Sequence, residues 1–205
     1  LSAVMALCYT HRIPVVARGA GTGLSGGAMP SEDALLLSTA KMMNILAVDP
    51  LACTARVQPG VRNLAISEHV AQHGLYYAPD PSSQIACTIG GNVAENSGGV
   101  HCLKYGLTVH NIKKLRVVLM TGEVVELGSE SLDTHAPGTY DLLALMIGSE
   151  GLLGIVTEVV VKLTPKPQLA QVAMASFASV ETAGAAVGAI IGAGMVGTAM
   201  AVLLQ

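Results

Sequence analysis

Aromatic side chains are scarce in this sequence of 205 residues, which has no tryptophan, one phenylalanine and five tyrosines. Charged residues are also few, at 12%, whereas apolar residues make up 51%. This balance excludes general disorder, because the chain has ample apolar surface to bury. We therefore expect about one domain, with a core built from alanine, valine, leucine and isoleucine and with methionine filling the gaps.

The sequence also lacks paired cysteines and basic runs. Its four cysteines, at positions 8, 53, 87 and 102, form no CxxC pair and have no regular spacing. Such spacing favours reduced packing thiols over a disulfide framework or a zinc site. A net charge of −3 without a basic stripe argues against a nucleic-acid partner. We expect a cytoplasmic protein, with peripheral attachment to the inner membrane as the alternative.

The two ends of the chain give different signals. The sequence begins at Leu1 without a charged-then-apolar leader, so no signal peptide is visible and the chain is interpreted as truncated. Residues 182–205 carry no charge and are long enough to span a membrane, with Gly184, Gly188 and Gly192 in a GxxxGxxxG pattern. Their alanine and glycine content gives little insertion energy, and no aromatic belt or basic flank is present. We predict a soluble packing helix.

Hydrophobic periodicity and turn residues predict more strands than helices, several of them joined directly by turns. This pattern is typical of an α+β fold. A domain boundary is predicted at Thr164–Pro167, so that residues 1–167 form one domain and residues 168–205 begin another. The predicted helices are Leu1–Arg12 (with Val4, Leu7 and Cys8 on one face), Val61–His73, Asp141–Ile147 and one from Val180. The predicted strands are Ile13–Ala17, Ala34–Ser38, Ile45–Val48, Thr54–Val57, Ile112–Met120, Glu123–Leu127, Ile155–Lys162 and Val172–Phe177.

Glycines concentrate in three clusters, the first of which has the formal pattern GxGxxG at Gly21–Gly26. A Rossmann turn requires a following helix, which the glycines and Pro30 interrupt, and a P-loop requires a lysine that this cluster lacks. Consecutive glycines can still direct several backbone N–H groups at one anion. Thr22 and Ser25 add hydroxyl donors and Arg18 adds a positive charge. We therefore favour an anion site over a glycine-rich surface turn.

The three clusters resemble, in order and spacing, the motifs of one flavoprotein family. The stretches that carry the resemblance are Pro14–Ala28, Pro79–Gly99, Lys104–Gly106 and Gly148–Thr157. They are similar to the FAD-binding domain of the vanillyl-alcohol oxidase and p-cresol methylhydroxylase (PCMH) type, and within it to glycolate oxidase FAD subunits and D-lactate dehydrogenases. The resemblance extends over nearly the whole chain to Pro167, and four ordered motifs are far more specific than one.

The resemblance implies where FAD lies. Backbone N–H groups of the first cluster would hold the pyrophosphate, the second cluster and the loop before it would line the flavin ring, and the third would follow the adenosine and ribityl parts. The implied cofactor-binding residues are Arg18, Gly19, Ala20, Gly21, Thr22, Gly23, Gly26, Pro79, Asp80, Thr88, Gly90, Gly91, Asn92, Gly98, Gly99, Glu150, Gly151, Ile155 and Val156. Because the loop carries no histidine, the FAD is expected to be non-covalent.

The resemblance also implies the activity of a whole enzyme, the oxidation of glycolate or D-lactate to the 2-oxo acid by hydride transfer to flavin N5. The implied partners are the substrate, an electron acceptor (a quinone, a carrier protein or oxygen) and subunits of a glycolate oxidase complex. Such enzymes carry their catalytic and metal-binding groups mainly in a C-terminal cap, so none is assigned in this sequence. Two alternatives stay open: a non-redox enzyme with the same FAD domain, such as alkyl-glycerone-phosphate synthase, and a non-catalytic nucleotide-binding module.

Several titratable residues near these motifs have two interpretations. His69 and His73 are four residues apart on a predicted helix and could face one metal, but no third ligand is evident, so a solvent-facing surface is favoured. His101 and His110 flank the second cluster and are either near the flavin or simply polar loop residues. Asp80 is either a general base or part of an ordinary Asp-Pro-Ser turn.

Overall fold

The structure of the chain, a computed structural model, describes residues 1–129, 140–169, 171–195 and 197. The helices in these ranges are α1 (Ser2–His11), α2 (Asn63–Val70), α3 (Ile89–Glu95), α4 (Cys102–Tyr105), α5 (Leu142–Met146) and α6 (Val180–Gly192). The strands are β1 (Val15–Arg18), β2 (Leu35–Ser38), β3 (Ile45–Asp49), β4 (Thr54–Val57), β5 (Leu75–Tyr76), β6 (Ile112–Leu119), β7 (Val124–Gly128), β8 (Gly154–Lys162) and β9 (Thr164–Pro165). This mixture of helices and sheets confirms the predicted α+β class.

A five-stranded sheet with the order β3-β4-β8-β6-β7 forms the centre of the fold. All of its neighbouring strands are antiparallel. The middle strand β8 places Val159 opposite Val57 on one side and opposite Leu115 on the other. Two small sheets accompany it, the parallel pair β1-β2 and the antiparallel pair β5-β9. Turn residues at Asp49–Pro50 and at Thr121–Gly122 predict that β3 pairs with β4 and β6 with β7, and both pairings are confirmed.

The main hydrophobic core lies between one face of this sheet and the helices α2, α3 and α5. Leu115 and Val159 from the sheet, and Ile66 and Val93 from the helices, are fully buried. Burying one such side chain stabilises the folded state by about 1.5–3 kcal/mol. The core is aliphatic, as predicted, and it holds α3 firmly against the sheet.

A second, smaller cluster of apolar side chains fixes α1. Met5 of this helix packs with Val118 and Ile155 of the sheet, and the helix buries Met5 and Cys8. Val4 and Leu7 are exposed, so of the three apolar residues predicted on one face of this helix only Cys8 is buried. Residues three apart share a helix face. The face that carries Met5 and Cys8 is buried, whereas the adjacent face that carries Val4 and Leu7 is exposed.

The opposite face of the five-stranded sheet is charged where α1 does not cover it. Nζ of Lys114 lies 2.7 Å from Oε2 of Glu126, and Nη1 of Arg116 lies 3.0 Å from Oε1 of Glu158. The hydrogen bond and the charge of Lys114 lower the pKa of Glu126. Antiparallel sheets commonly expose part of one face to water in this way.

Beyond β9 the chain leaves the sheet. The predicted strand Val172–Phe177 is wrong, because residues 171–179 are exposed and no described strand pairs with them. The helix predicted from Val180 is confirmed as α6, which Ser179 caps through a hydrogen bond from the N–H of Thr182. No helix within the described ranges is both long and apolar enough to cross a membrane. Residues 196 and 198–205 of the predicted packing helix lie outside the described residues.

Candidate functional site

A cavity of about 630 Å³ lies beside α3. Residues 17–29 form one wall, α3 and the preceding Thr88 form a second, and the turn 149–151 with the start of β8 forms the third. The volume is within the range of about 300–1,000 Å³ that small-molecule and cofactor pockets occupy. The three walls contain the three glycine clusters, which the fold therefore brings together from distant parts of the sequence.

The first glycine cluster presents unpaired backbone donors to this cavity. The N–H groups of Gly19 through Ala28 make no hydrogen bond to any acceptor in the described part of the chain. The backbone φ angles of Gly21 (+71°) and Gly26 (+82°) lie in the left-handed region, where glycine carries no steric penalty. A run of free N–H groups in such a loop can form a concave anion-binding nest, and anion binding by this loop stays a prediction.

The second glycine cluster forms α3, a helix that the sequence analysis did not predict. Thr88 is its N-cap, and Oγ1 of Thr88 accepts a hydrogen bond from the N–H of Gly91. The N–H groups of the two residues between them donate to the carbonyls of Val61 (2.8 Å) and Pro59 (2.9 Å). Because these donors already have protein acceptors, the start of α3 is a wall of the cavity, and the donors for an anion come from the first cluster.

Two of these glycines also permit close packing. A side chain at Gly19 would collide with the hydroxyl of Thr88, and a Cβ at Gly90 would lie 2.7 Å from Cβ of Pro59. Both contacts are shorter than carbon and oxygen atoms tolerate without a shift of the chain. Glycine is therefore required at these positions for packing the loop on α3 and α3 on the preceding turn, apart from any contact with a ligand.

The third glycine cluster is fixed to α3 by main-chain hydrogen bonds. The N–H of Gly148 donates to the carbonyl of Val93 (2.8 Å), and the N–H of Glu150 donates to the carbonyl of Ala94 (2.9 Å). Glu150 adopts a left-handed φ of +54°, which is uncommon for a residue with a side chain. The turn thus holds Glu150 at the rim, while the buried Ile155 lies on the cavity wall.

Most of the predicted cofactor residues line this one cavity. The lining members are Arg18, Gly19, Ala20, Gly21, Thr22, Gly23, Gly26, Thr88, Gly90, Gly91, Asn92, Glu150, Gly151, Ile155 and Val156. Pro79, Asp80, Gly98 and Gly99 are outside the lining and lie beyond its border. The contacts of all these residues with FAD are predictions.

A buried amide network behind the cavity was missed from the sequence. Nδ2 of Asn63 donates to the carbonyl of Pro79 and to Oδ1 of Asn92, each at 3.1 Å, and Nδ2 of Asn92 donates to Sγ of Cys87 at 3.3 Å. Leaving such a buried group unpaired costs about 1–3 kcal/mol. The network therefore ties α2, α3 and the Pro79 loop together. Nothing in the residues around Asn63 marks it for this role.

The charges on the cavity wall are mixed. Arg18 is the cationic side chain among the described lining residues, and Glu95 and Glu150 are acidic. Oε1 of Glu95 accepts a hydrogen bond from the hydroxyl of Ser25 at 2.9 Å. Net charge therefore does not make this an anion site, and the neutral N–H donors of the first cluster must supply most of the attraction. Glu95 was not predicted as a site residue, because a carboxylate is not expected beside a loop that binds an anion.

These features fit FAD. The cofactor is long and carries a diphosphate between two ring systems, so it needs an elongated cavity with clustered donors in one region and apolar walls elsewhere. The unpaired N–H groups of the first cluster meet the first need, and apolar residues such as Val93, Met146 and Val156 meet the second. The donor set and the apolar walls therefore suit a dinucleotide that carries a flat ring.

Comparison with known proteins agrees with this fit. A family profile described as "FAD binding domain" matches residues 1–128. The chain belongs to this family, its cofactor is FAD, and its fold is the PCMH-type FAD-binding fold that the resemblance implies.

Three similar curated relatives are named as glycolate oxidase subunits or as a D-lactate dehydrogenase. The chain is 63% identical over 196 residues to "Glycolate oxidase subunit GlcD" of Escherichia coli (strain K12), which covers 96% of this chain and 39% of that relative. It is 45% identical over 193 residues to the protein of the same name from Bacillus subtilis (strain 168), over 94% of this chain and 41% of that relative. It is also 43% identical over 168 residues to "D-lactate dehydrogenase" of Anaerostipes hadrus, over 82% and 35% respectively. The chain thus spans only 35–41% of the length of these relatives.

A solved structure shares the fold. An alkyldihydroxyacetonephosphate synthase superposes with a TM-score of 0.78 at 24% identity, over 96% of this chain and 38% of that chain. At this identity the likeness establishes the fold alone.

Arg18 offers a test of the charge contribution to FAD binding. Because the guanidinium is exposed, Arg18→Gln is expected to weaken FAD binding by only about two- to fivefold at low salt, the scale of an exposed ion pair. The difference should shrink as salt screens the charge. Fluorescence titration with FAD at two salt concentrations measures it. Arg56→Gln, on the charged outer face of the sheet, is the matched control and should bind FAD as the unchanged protein does. A loss of several hundredfold at Arg18 would contradict recognition by main-chain donors.

Proposed function

We propose that the protein is an FAD-dependent oxidoreductase that oxidises a small 2-hydroxy acid, glycolate or D-lactate, to the corresponding 2-oxo acid. The 63% identity to a glycolate oxidase subunit, over a segment that includes all three walls of the cavity, carries the proposal. The relative named D-lactate dehydrogenase supports the same substrate class. Both acids present a carboxylate beside a carbon that bears one hydroxyl and at least one hydrogen, so one chemistry serves either.

In this proposal the residues of the chain bind and orient the cofactor. Bound FAD supplies the acceptor for the hydride that the α-carbon releases. The N–H groups of Gly19 through Ala28 would hold the pyrophosphate without a formal charge, and α3 and the start of β8, which line the cavity, would help to exclude water from it. The FAD is held without a covalent bond, so acid precipitation of the protein is expected to release all of it.

The proposed reaction needs two partners in addition to FAD. One is the 2-hydroxy acid, and the other is an electron acceptor, which would be a quinone, a carrier protein or oxygen. The word "subunit" in the names of two relatives motivates a search for partner chains that co-purify with the protein. We propose that the reaction takes place in the cytoplasm or at the periphery of the inner membrane.

Anaerobic flavin reduction tests the proposed function. The full-length protein should show the absorption bands of bound flavin, and adding D-lactate or glycolate should bleach them with release of the 2-oxo acid. L-lactate is the matched control substrate and should reduce the flavin far more slowly than D-lactate. A protein without flavin bands contradicts FAD retention. Flavin bands that neither acid bleaches contradict the substrate class alone and favour a non-redox use of the same domain.

A further inference from the structure

We propose that Glu95 is a positioning residue for the cofactor: its carboxylate accepts a hydrogen bond from the hydroxyl of Ser25 and so holds the first glycine cluster in the conformation that receives the pyrophosphate. The inference rests on the assignment of the cavity to FAD, which the proposed function also needs, and is independent of the substrate. It gives the carboxylate on the cavity wall a role that acts through the loop.

The loop of residues 19–28 is fixed at its start but has little backbone bonding of its own. The carbonyl of Arg18, just before the loop, accepts a hydrogen bond from the N–H of Thr39 at 3.0 Å. Within the described residues, the backbone of the loop then makes one hydrogen bond, from the N–H of Met29 to the carbonyl of Gly26 at 3.0 Å, which closes a local turn. A loop held so sparsely must be ordered when a ligand binds, and that ordering costs affinity.

A side-chain hydrogen bond links the middle of this loop to α3. The hydroxyl of Ser25 donates to Oε1 of Glu95 at 2.9 Å. In the part of the chain that the structure describes, it is the only hydrogen bond between residues 19–28 and another segment. The same oxygen would lie 3.3 Å from a Cβ at Gly23, so the carboxylate lies against the loop at two neighbouring points. All three residues line the cavity.

The acceptor is fixed in position, because Glu95 is the last residue of α3. The carbonyl of Val93, a fully buried residue, accepts a hydrogen bond from the N–H of Gly148 at 2.8 Å. Oδ1 of Asn96, the next residue in the chain, accepts one from the N–H of Val109 at 3.0 Å. The end of α3 is thus tied to two other segments, and Glu95 offers the loop a rigid point of attachment.

The chemistry of the pair accounts for a carboxylate beside a predicted anion. A carboxylate has only acceptors, and hydrogen bonds to it are stronger than those to neutral oxygens. A serine hydroxyl has one proton to donate. While Ser25 donates to Glu95 it therefore cannot donate to a phosphate, in contrast to the role of anion donor that the sequence suggests for it. Its contribution to FAD binding is to shape the loop.

FAD dissociation from the full-length holoprotein tests this role. Glu95→Ala and Ser25→Ala are each expected to raise the dissociation rate about three- to tenfold, the scale of one hydrogen bond. Because both changes remove the same bond, the double variant should release FAD no faster than either single variant does. The rise of flavin fluorescence after dilution of the holoprotein measures the rate.

Glu95→Gln separates the acceptor from the charge. A glutamine side chain keeps an oxygen that accepts the hydroxyl but carries no charge, so this variant should release FAD as slowly as the unchanged protein does. Glu68→Ala removes an exposed carboxylate from α2, outside the cavity lining, and is the matched control. It too should leave the dissociation rate unchanged.

Other results would overturn the inference and leave the cofactor assignment intact. Additive effects of the two alanine substitutions would mean that Ser25 and Glu95 act separately, as they would if Ser25 donated to a phosphate. Release from Glu95→Gln as fast as from Glu95→Ala would mean that the charge matters and the acceptor does not. Unchanged or slower release from Glu95→Ala would mean that the carboxylate does not hold the loop. An unchanged protein that retains no FAD overturns both the inference and the proposed function.

Discussion

Gly21→Val is expected to abolish FAD retention. Gly21 has a φ of +71°, and side-chain-bearing residues pay about 1–2 kcal/mol in that left-handed region, with β-branched residues at the upper end. A valine would therefore push the loop towards another backbone conformation, and the convergence of the N–H groups from Gly19 to Ala28 would be lost. The ratio of flavin to protein absorbance after purification measures retention.

Gly74→Val is the matched control for this experiment. Gly74 ends the turn after α2 with a φ of +67° and has no atom within 4 Å of a would-be Cβ, yet it lies outside the cavity lining. The same backbone strain is therefore introduced away from the site. Gly74→Val should lower the melting temperature and retain FAD. Normal flavin occupancy in Gly21→Val would refute the assignment of the loop to the pyrophosphate.

Leu115→Ala is expected to destabilise the fold by about 2–5 kcal/mol, the cost of removing a buried leucine and leaving a cavity. Leu115 is fully buried on β6, opposite Val159 of the central strand. A small domain has a total stability of about 5–15 kcal/mol, so this single change removes a large share of it. The shift in the free energy of unfolding, measured with urea, gives the value.

Val124→Ala is the control on the same sheet. Val124 lies on the edge strand β7 and is 43% exposed, so its truncation returns little apolar surface to water. The expected change in stability is within about 0.5 kcal/mol, as for other exposed sites. Equal losses at both positions would contradict the placement of the core between the sheet and the helices.

The strands of the sheet could be predicted because each carries its own signal. The Val-rich run of β8 and the hairpin of β6 and β7 around Gly122 are decided by local residues. The strand predicted at Val172–Phe177 shows the limit of that signal, since apolar residues form a strand only where a partner strand exists. No described strand is placed beside this segment.

The helix α3 could not be predicted from its own residues. Each glycine in a helix costs about 1 kcal/mol relative to alanine, and α3 includes Gly90 and Gly91. The cap at Thr88 and the carbonyls of Val61 and Pro59 offset that cost by accepting the first N–H groups. Two of these three acceptors come from a segment nearly thirty residues earlier, which a local pattern does not reveal.

The candidate site could be predicted only in part, because some of its features are local sequence patterns and others are contacts between distant residues. The first glycine cluster is recognisable from its own residues, and the resemblance identifies the other two clusters as parts of the same site. The contacts of Glu95 with Ser25 and of Asp80 with His101 join residues 70 and 21 positions apart. Such pairs depend on how the clusters meet in three dimensions, so in the sequence His101 is only one of two histidines that flank the second cluster.

Because the donors of the first glycine cluster are backbone N–H groups, most side chains of this loop are free to vary. Every residue except proline offers the same amide, so the identities of Ala20, Thr22 and Leu24 matter less than the path of the chain through them. FAD binding by this loop then depends on its backbone conformation more than on its side chains. Substitutions that preserve this backbone conformation are tolerated, whereas a substitution that changes it removes several N–H donors at once.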